Sequence, residues 1–194
     1  MSRQTALSSE ESRKYWGMTR AEWKENIESL IWAVALALAI RTFIIAPFKI
    51  PSGSMHPTLY EGDRILVSKF TYRFEAPKRG DIIVFRYPED PKRSFIKRLV
   101  GVGGDRVVIK NGRLWVNDKL LEENEVFRTN TYYSQGVYGQ EGQVTEVPPG
   151  QFFVLGDNSA SSHDSRFWGF VPKRLLIGKA LCIFWPITRW RILR

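Results

Sequence analysis

The chain has 194 residues, enough for one domain of ordinary size plus an appendage, and 43% of them are hydrophobic, which excludes wholesale disorder. Its single cysteine, Cys182, excludes an internal disulfide framework and a cysteine-based zinc site. The formal charge of +9 leaves nucleic acid and anionic lipid both open as partners on charge alone.

Residues 1–29 hold five basic side chains (Arg3, Arg13, Lys14, Arg20, Lys24) and five acidic ones (Glu10, Glu11, Glu22, Glu25, Glu28). They are neutral in sum, so the basic surplus belongs to the rest of the chain. From Leu30 to Phe48 the sequence reads LIWAVALALAIRTFIIAPF, 19 residues with one charge, Arg41. As a helix this stretch measures about 28 Å, close to the ~30 Å hydrocarbon core of a bilayer. Leu30 to Ile40 is apolar on all sides, unlike an amphipathic core helix. Arg41 lies in the last third, from where a long side chain snorkels to the interface. Pro47 and Pro51 end the helical pattern.

A cleaved secretory signal competes with this reading, since Ala37-Leu38-Ala39 is an A-x-A triplet. The preceding region is long, near-neutral and acid-containing, and apolar residues continue past the triplet, which favours a retained span. The expectation is a transmembrane helix over 30–48, a cytoplasmic segment over 1–29 and an extracytoplasmic domain over 49–194. The five Lys/Arg before the span set this orientation.

KIPSGSMHPTL (49–59) follows, with two serines between two prolines. Alone it reads as a turn. Beyond Leu59 come short runs rich in β-branched and aromatic residues, over 64–70, 81–87, 94–102, 106–110, 113–117, 151–156 and 175–185. Asn111-Gly112 is a strong two-residue hairpin signal, and Asn117-Asp118 suggests a second turn. Many short strands with Gly/Pro punctuation predict a mainly β domain, sandwich-like or barrel-like. The polar stretch 128–146 reads as a long surface loop or hairpin. Cys182, in the apolar run ALCIFW, reads as core packing.

A serine needs a base to act as a nucleophile at neutral pH. The chain has two histidines. His56 stands two residues after Ser54, a spacing that does not favour an Oγ–imidazole hydrogen bond in extended chain. His163 precedes Asp164, which leaves a Ser/His/Asp site open. A lysine is the other option, but it must be neutral, and burial among apolar groups lowers its pKa from roughly 10.4. In SFIKRLVGV (94–102) alternation puts Phe95, Lys97 and Leu99 on one side. Spacing alone leaves Lys97 either as a strand-end lysine snorkelling to water or as a buried base.

PSGSMHPTL (51–59), IKRLVGVGGD (96–105) and LGDNSASSHDSRFWGFVP (155–172) together resemble the type I signal peptidases, with YEGDRILVSKF (60–70) as a weaker match. The motifs stand in the family's order behind an N-terminal apolar segment. The resemblance implies a signal-peptidase-type β-rich catalytic domain, with Ser54 as nucleophile and Lys97 as general base. It assigns the oxyanion to the Ser54 amide and the Ser52 hydroxyl, gives Ser162 the task of aiming the base, and makes Asp164 and Arg166 a supporting ion pair. No cofactor or metal is implied. The reaction it implies is hydrolysis through an acyl-enzyme. The substrates are secretory preproteins with membrane-inserted signal peptides, cut after small residues of Ala-x-Ala type. Membrane lipids and the export machinery are the expected partners and nucleic acid is not. The implied location is the plasma membrane, with thylakoid or organellar inner membrane as alternatives. Trp185, Trp190 and Arg191 form a candidate lipid-facing patch.

Two departures from the family pattern stand out: Ser159-Ala160 where Arg-Asp is common, and Gly103 where proline is common. Rival readings are a self-cleaving repressor, for which residues 1–29 are too short a DNA-binding head, a non-catalytic tethered β domain, and an organellar processing protease of the same superfamily.

Overall fold

The computed structural model describes residues 20–193, which separate into a unit ending at Phe43 and a unit beginning at Ile44. In the first unit residues Arg20–Phe43 form one helix, whose side chains from 22 to 41 are exposed, Leu30, Trp32 and Leu36 among them. Its opening turns carry Glu22, Lys24, Glu25 and Glu28, so the uncharged stretch Leu30–Ile40 measures only about 16 Å. Among the described residues no helix is long and apolar enough to cross a membrane. Most of the segment 1–29 expected ahead of the span lies outside the described residues.

The expected helix over 30–48 is corrected at its far end. Ile45–Lys49 is a strand (β1), paired antiparallel with Arg64–Ser68 (β2) from Ile45↔Ser68 to Lys49↔Arg64. An apolar run is compatible with helix or strand, and here the sheet takes the last four residues of the run, 45–48. Pro47 is tolerated because β1 is an edge strand, where a missing N–H leaves no ladder partner unsatisfied.

The second unit is mainly β. The remaining strands are β3 (Ile82–Arg86), β4 (Ser94–Val102), β5 (Arg106–Lys110), β6 (Arg113–Val116), β7 (Lys119–Leu120), β8 (Thr145–Glu146), β9 (Gln151–Leu155), β10 (Val171–Pro172), β11 (Leu176–Trp185) and β12 (Arg191–Ile192). The larger sheet runs β1-β2-β11-β3-β4-β9-β10, with β12 on β11; the smaller runs β7-β6-β5-β8. Every pairing between these strands is antiparallel. β4 lies in the interior of the larger sheet, with Lys97 opposite Ile83 and Arg98 opposite Ile82 and Leu155.

Seven of these strands fall where the β-branched runs predicted them. Asn111 and Gly112 both take positive φ (52° and 70°), as do Asn117 and Asp118 (54° and 63°), so both predicted turns are type I′ hairpins. The stretch 128–146 is irregular but anchored. Thr145 and Glu146 pair with β5, and the Tyr133 carbonyl accepts from Arg166 Nη1 at 2.8 Å. Cys182 is a half-buried free thiol on β11.

The two sheets share a core of Val100, Val107, Ile109, Leu114, Phe153 and Leu155. Gly101 sits at a register shift in β4, where a Cβ would stand 2.7 Å from Val107 Cγ2 and 3.1 Å from Val147 Cγ2. Overpacking of this kind costs about 1–3 kcal/mol. Gly101→Ala is therefore expected to lower the thermal midpoint by several degrees, measured by calorimetry; an unchanged midpoint contradicts the close approach.

Candidate active site

Ser54 is carried by a single 3-10 turn, Gly53–Met55, entered from Ser52 in extended conformation. The turn is pinned from both sides by burial: Ile50, Met55 and Leu59 all sit in the core of the larger sheet. Its backbone is also held across the chain. Asn158 N–H donates to the Ser54 carbonyl at 3.0 Å and Asn158 Nδ2 donates to the Gly53 carbonyl at 3.1 Å. Gly156 closes the contact, because a Cβ there would collide with Ser162 and with the Ser54 carbonyl.

Against this turn stands β4. Lys97 Nζ is 2.7 Å from Ser54 Oγ. The lysine is 4% exposed, so it does not snorkel. Burial lowers its pKa to about 8, against the opposing pull of Asp164 and Asp157 and with a smaller push from Arg166. The Phe95 ring lies beside the amine, 5.6 Å from its centre to Nζ. Ser52 Oγ is 3.5 Å from Ser54 Oγ, at the long limit of a hydrogen bond.

The segment 156–166 surrounds the pair. Asp164 and Arg166 form a fully buried ion pair, with Nε to Oδ1 at 2.8 Å and Nη2 to Oδ2 at 2.9 Å. Asp164 also accepts from the Gly156 N–H at 3.0 Å. The remaining guanidinium donors go to the carbonyls of Tyr133, Ser159 and Ser162 and to Ser159 Oγ. Ser159, one of the departures from the family pattern, thus serves as an acceptor for Arg166. Gly103, the other, is packed against the backbone of residues 148–150.

One expected contact is not formed. Ser162 is buried, but its Oγ has no hydrogen-bond partner, so it does not aim Lys97 in this structure. The hydroxyl is turned into the space beside Gly156 instead. Nor does a histidine meet the serine. His163 Nε2 is 3.2 Å from Tyr87 Oη, and the His56 ring packs on Tyr60 at 4.4 Å between centres.

The sequence reading missed a second buried ion pair. Arg98, next to the lysine, donates Nε to Asp157 Oδ1 at 2.8 Å and Nη2 to Oδ2 at 2.7 Å. Arg98 Nη1 also donates to the Gly80 carbonyl, and Thr58 Oγ1 to Asp157 Oδ2. Both partners lie within quoted motifs, at KR and GDN, but only the fold brings residues 59 apart together.

Ser54 and Lys97 open onto a cleft of about 800 Å³, also lined by Ser52, Glu61, Arg93 and His163. A cavity of about 30 Å³ adjoins it, walled by Phe48, Ile50, Ile65, Val84 and Ile96. Among the described residues no cluster of His, Cys, Asp and Glu is arranged to hold a metal ion.

Comparison with known proteins shows the family. Residues 23–185 match the family model described as signal peptidase, peptidase S26. The chain is 40% identical to a probable signal peptidase I-2 of Synechocystis sp., over 93% of this chain and 81% of that protein. It is 43% identical to a signal peptidase I of Leptolyngbya laminosa, over 85% of this chain and 81% of that protein. It is also 36% identical to the chloroplastic thylakoidal processing peptidase 1 of Arabidopsis thaliana, over 85% of this chain and 49% of that one. A mainly β unit with a serine and a buried lysine facing one cleft thus belongs to the signal peptidase family, peptidase S26, a family of peptide-bond hydrolases.

Proposed function

We propose that the chain removes signal peptides from secretory preproteins, with Ser54 as nucleophile and Lys97 as general base. The observation that carries this reading is the 2.7 Å contact between Ser54 Oγ and an amine whose burial favours its neutral form. With that amine neutral, the serine hydroxyl donates to its lone pair and is activated for attack. The attack places an oxyanion within reach of the Ser54 N–H and the Ser52 hydroxyl, donors aimed where the charge develops. Lys97 passes the proton to the leaving amine as the C–N bond breaks, leaving an acyl ester on Ser54. It then takes a proton from the water that hydrolyses the ester. Ser162 Oγ, buried and without a partner, is the hydroxyl available to orient the amine during these transfers. Asp164 and Arg166 support the site as a neutral pair that fixes the segment bearing Ser162.

The cavity of about 30 Å³ beside the cleft supports small residues before the cut, as in Ala-x-Ala sites. It has room for a methyl group and little more. The exposed apolar helix supports attachment to a membrane by insertion of Leu30–Ile40. Trp185 and Trp190, half-exposed or more, with Arg191 beside them, support contact of the catalytic unit with lipid head groups. The plasma membrane, with the catalytic unit outside, suits secretory substrates; the likeness to a thylakoidal peptidase supports the thylakoid as the second reading.

In detergent, the wild type is expected to cut a preprotein after the second Ala of its Ala-x-Ala site. Ser54→Ala and Lys97→Ala are expected to be folded and slowed by at least about a thousandfold, on the scale of losing a nucleophile or its base. Full activity of Lys97→Ala shifts the base to another group.

Because the base must be unprotonated, kcat/KM is expected to rise about tenfold per pH unit up to about pH 8 and then level. A pH-rate profile with no inflection near that value contradicts the assignment.

The same depressed pKa has a sign for stability. Below about pH 8 both folded and unfolded lysines are charged, and burial of the ammonium opposes folding. This penalty is relieved as pH rises from about 8 towards the unfolded value. Lys97→Met is therefore expected to be inactive yet more stable than wild type at pH 7, by up to about 3 kcal/mol in urea unfolding. A destabilised Met variant contradicts the buried-charge penalty.

A further inference from the structure

One residue grips both peptide units that flank Ser54. Asn158 Nδ2 donates to the Gly53 carbonyl at 3.1 Å, and Asn158 N–H donates to the Ser54 carbonyl at 3.0 Å. A peptide unit is planar, and in the trans form its N–H points away from its carbonyl. The Gly53–Ser54 peptide is trans, so a hold on the Gly53 carbonyl sets the direction of the Ser54 N–H. The bond that closes the turn runs from His56 N–H to that same carbonyl at 3.1 Å and does not engage the Ser54 N–H. With both flanking planes held, the two backbone dihedrals of Ser54 are set, and with them the direction of its Cβ.

Asn158 itself stands off the cleft. It lines a separate hollow of about 380 Å³ with His56 and Pro57, whereas Gly53 and Ser54 line the cleft. The gripped carbonyl is thus directed away from the cleft, and the N–H of the same unit towards it. A braced backbone delivers the grip. Ser161 N–H donates to the Asn158 carbonyl at 3.0 Å, Asn130 Nδ2 donates to the Asp157 carbonyl at 2.6 Å, and Arg98 holds the Asp157 carboxylate. An amide suits the task because it supplies a donor without charge. An aspartate would set acceptor against acceptor and add a second carboxylate next to Asp157.

We infer, on the proposed reading of Ser54 as nucleophile, that Asn158 is a positioning residue for the oxyanion. Its side-chain amide, acting through the Gly53 carbonyl, aims the Ser54 N–H at the charge that develops on the scissile carbonyl. The effect is confined to the tetrahedral state, because the grip is on the donor of the oxyanion and not on groups that hold the substrate beforehand.

The test uses the full chain in detergent, a cleavable Ala-x-Ala peptide and two probes: the segment before the cut ending in an aldehyde, and the same segment ending in an alcohol. Ser54 Oγ adds to the aldehyde carbon, its proton passes to Lys97, and the carbonyl oxygen becomes an oxyanion; the alcohol only binds. Asn158→Ala keeps the backbone bond to the Ser54 carbonyl and loses the side-chain bond alone. Its kcat is expected to fall about tenfold to a hundredfold, part of the roughly hundredfold to thousandfold cost of deleting an oxyanion donor outright. KM and the inflection near pH 8 are expected to stay. Aldehyde affinity is expected to fall by the same factor as kcat, and alcohol affinity to hold. Asn158→Gln, which keeps an amide donor, is expected to recover part of kcat. Asn158→Leu, of similar outline without a donor, is expected to match Asn158→Ala and replaces it if the alanine variant does not fold. An unchanged kcat, a loss shared equally by aldehyde and alcohol, or a shifted inflection overturns the positioning role while cleavage stands. Aldehyde affinity that survives Ser54→Ala intact overturns the nucleophile reading and the positioning role with it.

Discussion

The arrangement turns on keeping one amine out of water. A lysine on the surface is charged at neutral pH and has no lone pair to offer. Lys97 escapes that state because β4 lies inside the larger sheet, between β3 and β9, with the serine turn closing the remaining side. Burial favours neutrality, but it would be undone by a free carboxylate nearby. The two acids that pull on it, Asp164 and Asp157, each carry a guanidinium partner, and Arg166 pushes back against that pull. The ion pairs are best understood as electrostatic housekeeping for this amine; as contributions to stability, buried pairs often do no better than apolar residues of the same volume.

The β architecture was legible where a local pattern decides the structure. The alternating run of β4 and both Asn-initiated turns are settled by side-chain period and by positive φ, properties of a few adjacent residues. The end of the apolar stretch was not legible in this way. Ile44 to Phe48 has no period that separates helix from strand, and the choice is made by the distant partner β2.

The site was legible in part, for a related reason. Ser54 and Lys97 were singled out by motif, and the fold brings them into contact. Spacing alone left the lysine ambiguous, because burial on a strand depends on what packs against it. The Arg98–Asp157 pair carries no local signal at all. For Ser162 the family pattern pointed to a hydrogen bond with the lysine, and the side chain is buried in the right segment, but its hydroxyl is turned towards Gly156. Motif gives the residue, whereas rotamer is set by packing.

The salt link between Arg98 and Asp157 has a mechanical consequence. Arg98 is the neighbour of Lys97 on one strand, and Asp157 is the neighbour of Asn158, whose N–H holds the Ser54 carbonyl. Lys97 and Ser54 are therefore fastened to the two ends of a single short brace. A shift of β4 would pull the serine turn with it, so the displacement would be shared between the two side chains. The brace thus ties the 2.7 Å separation to the strand and the turn together, and not to either alone.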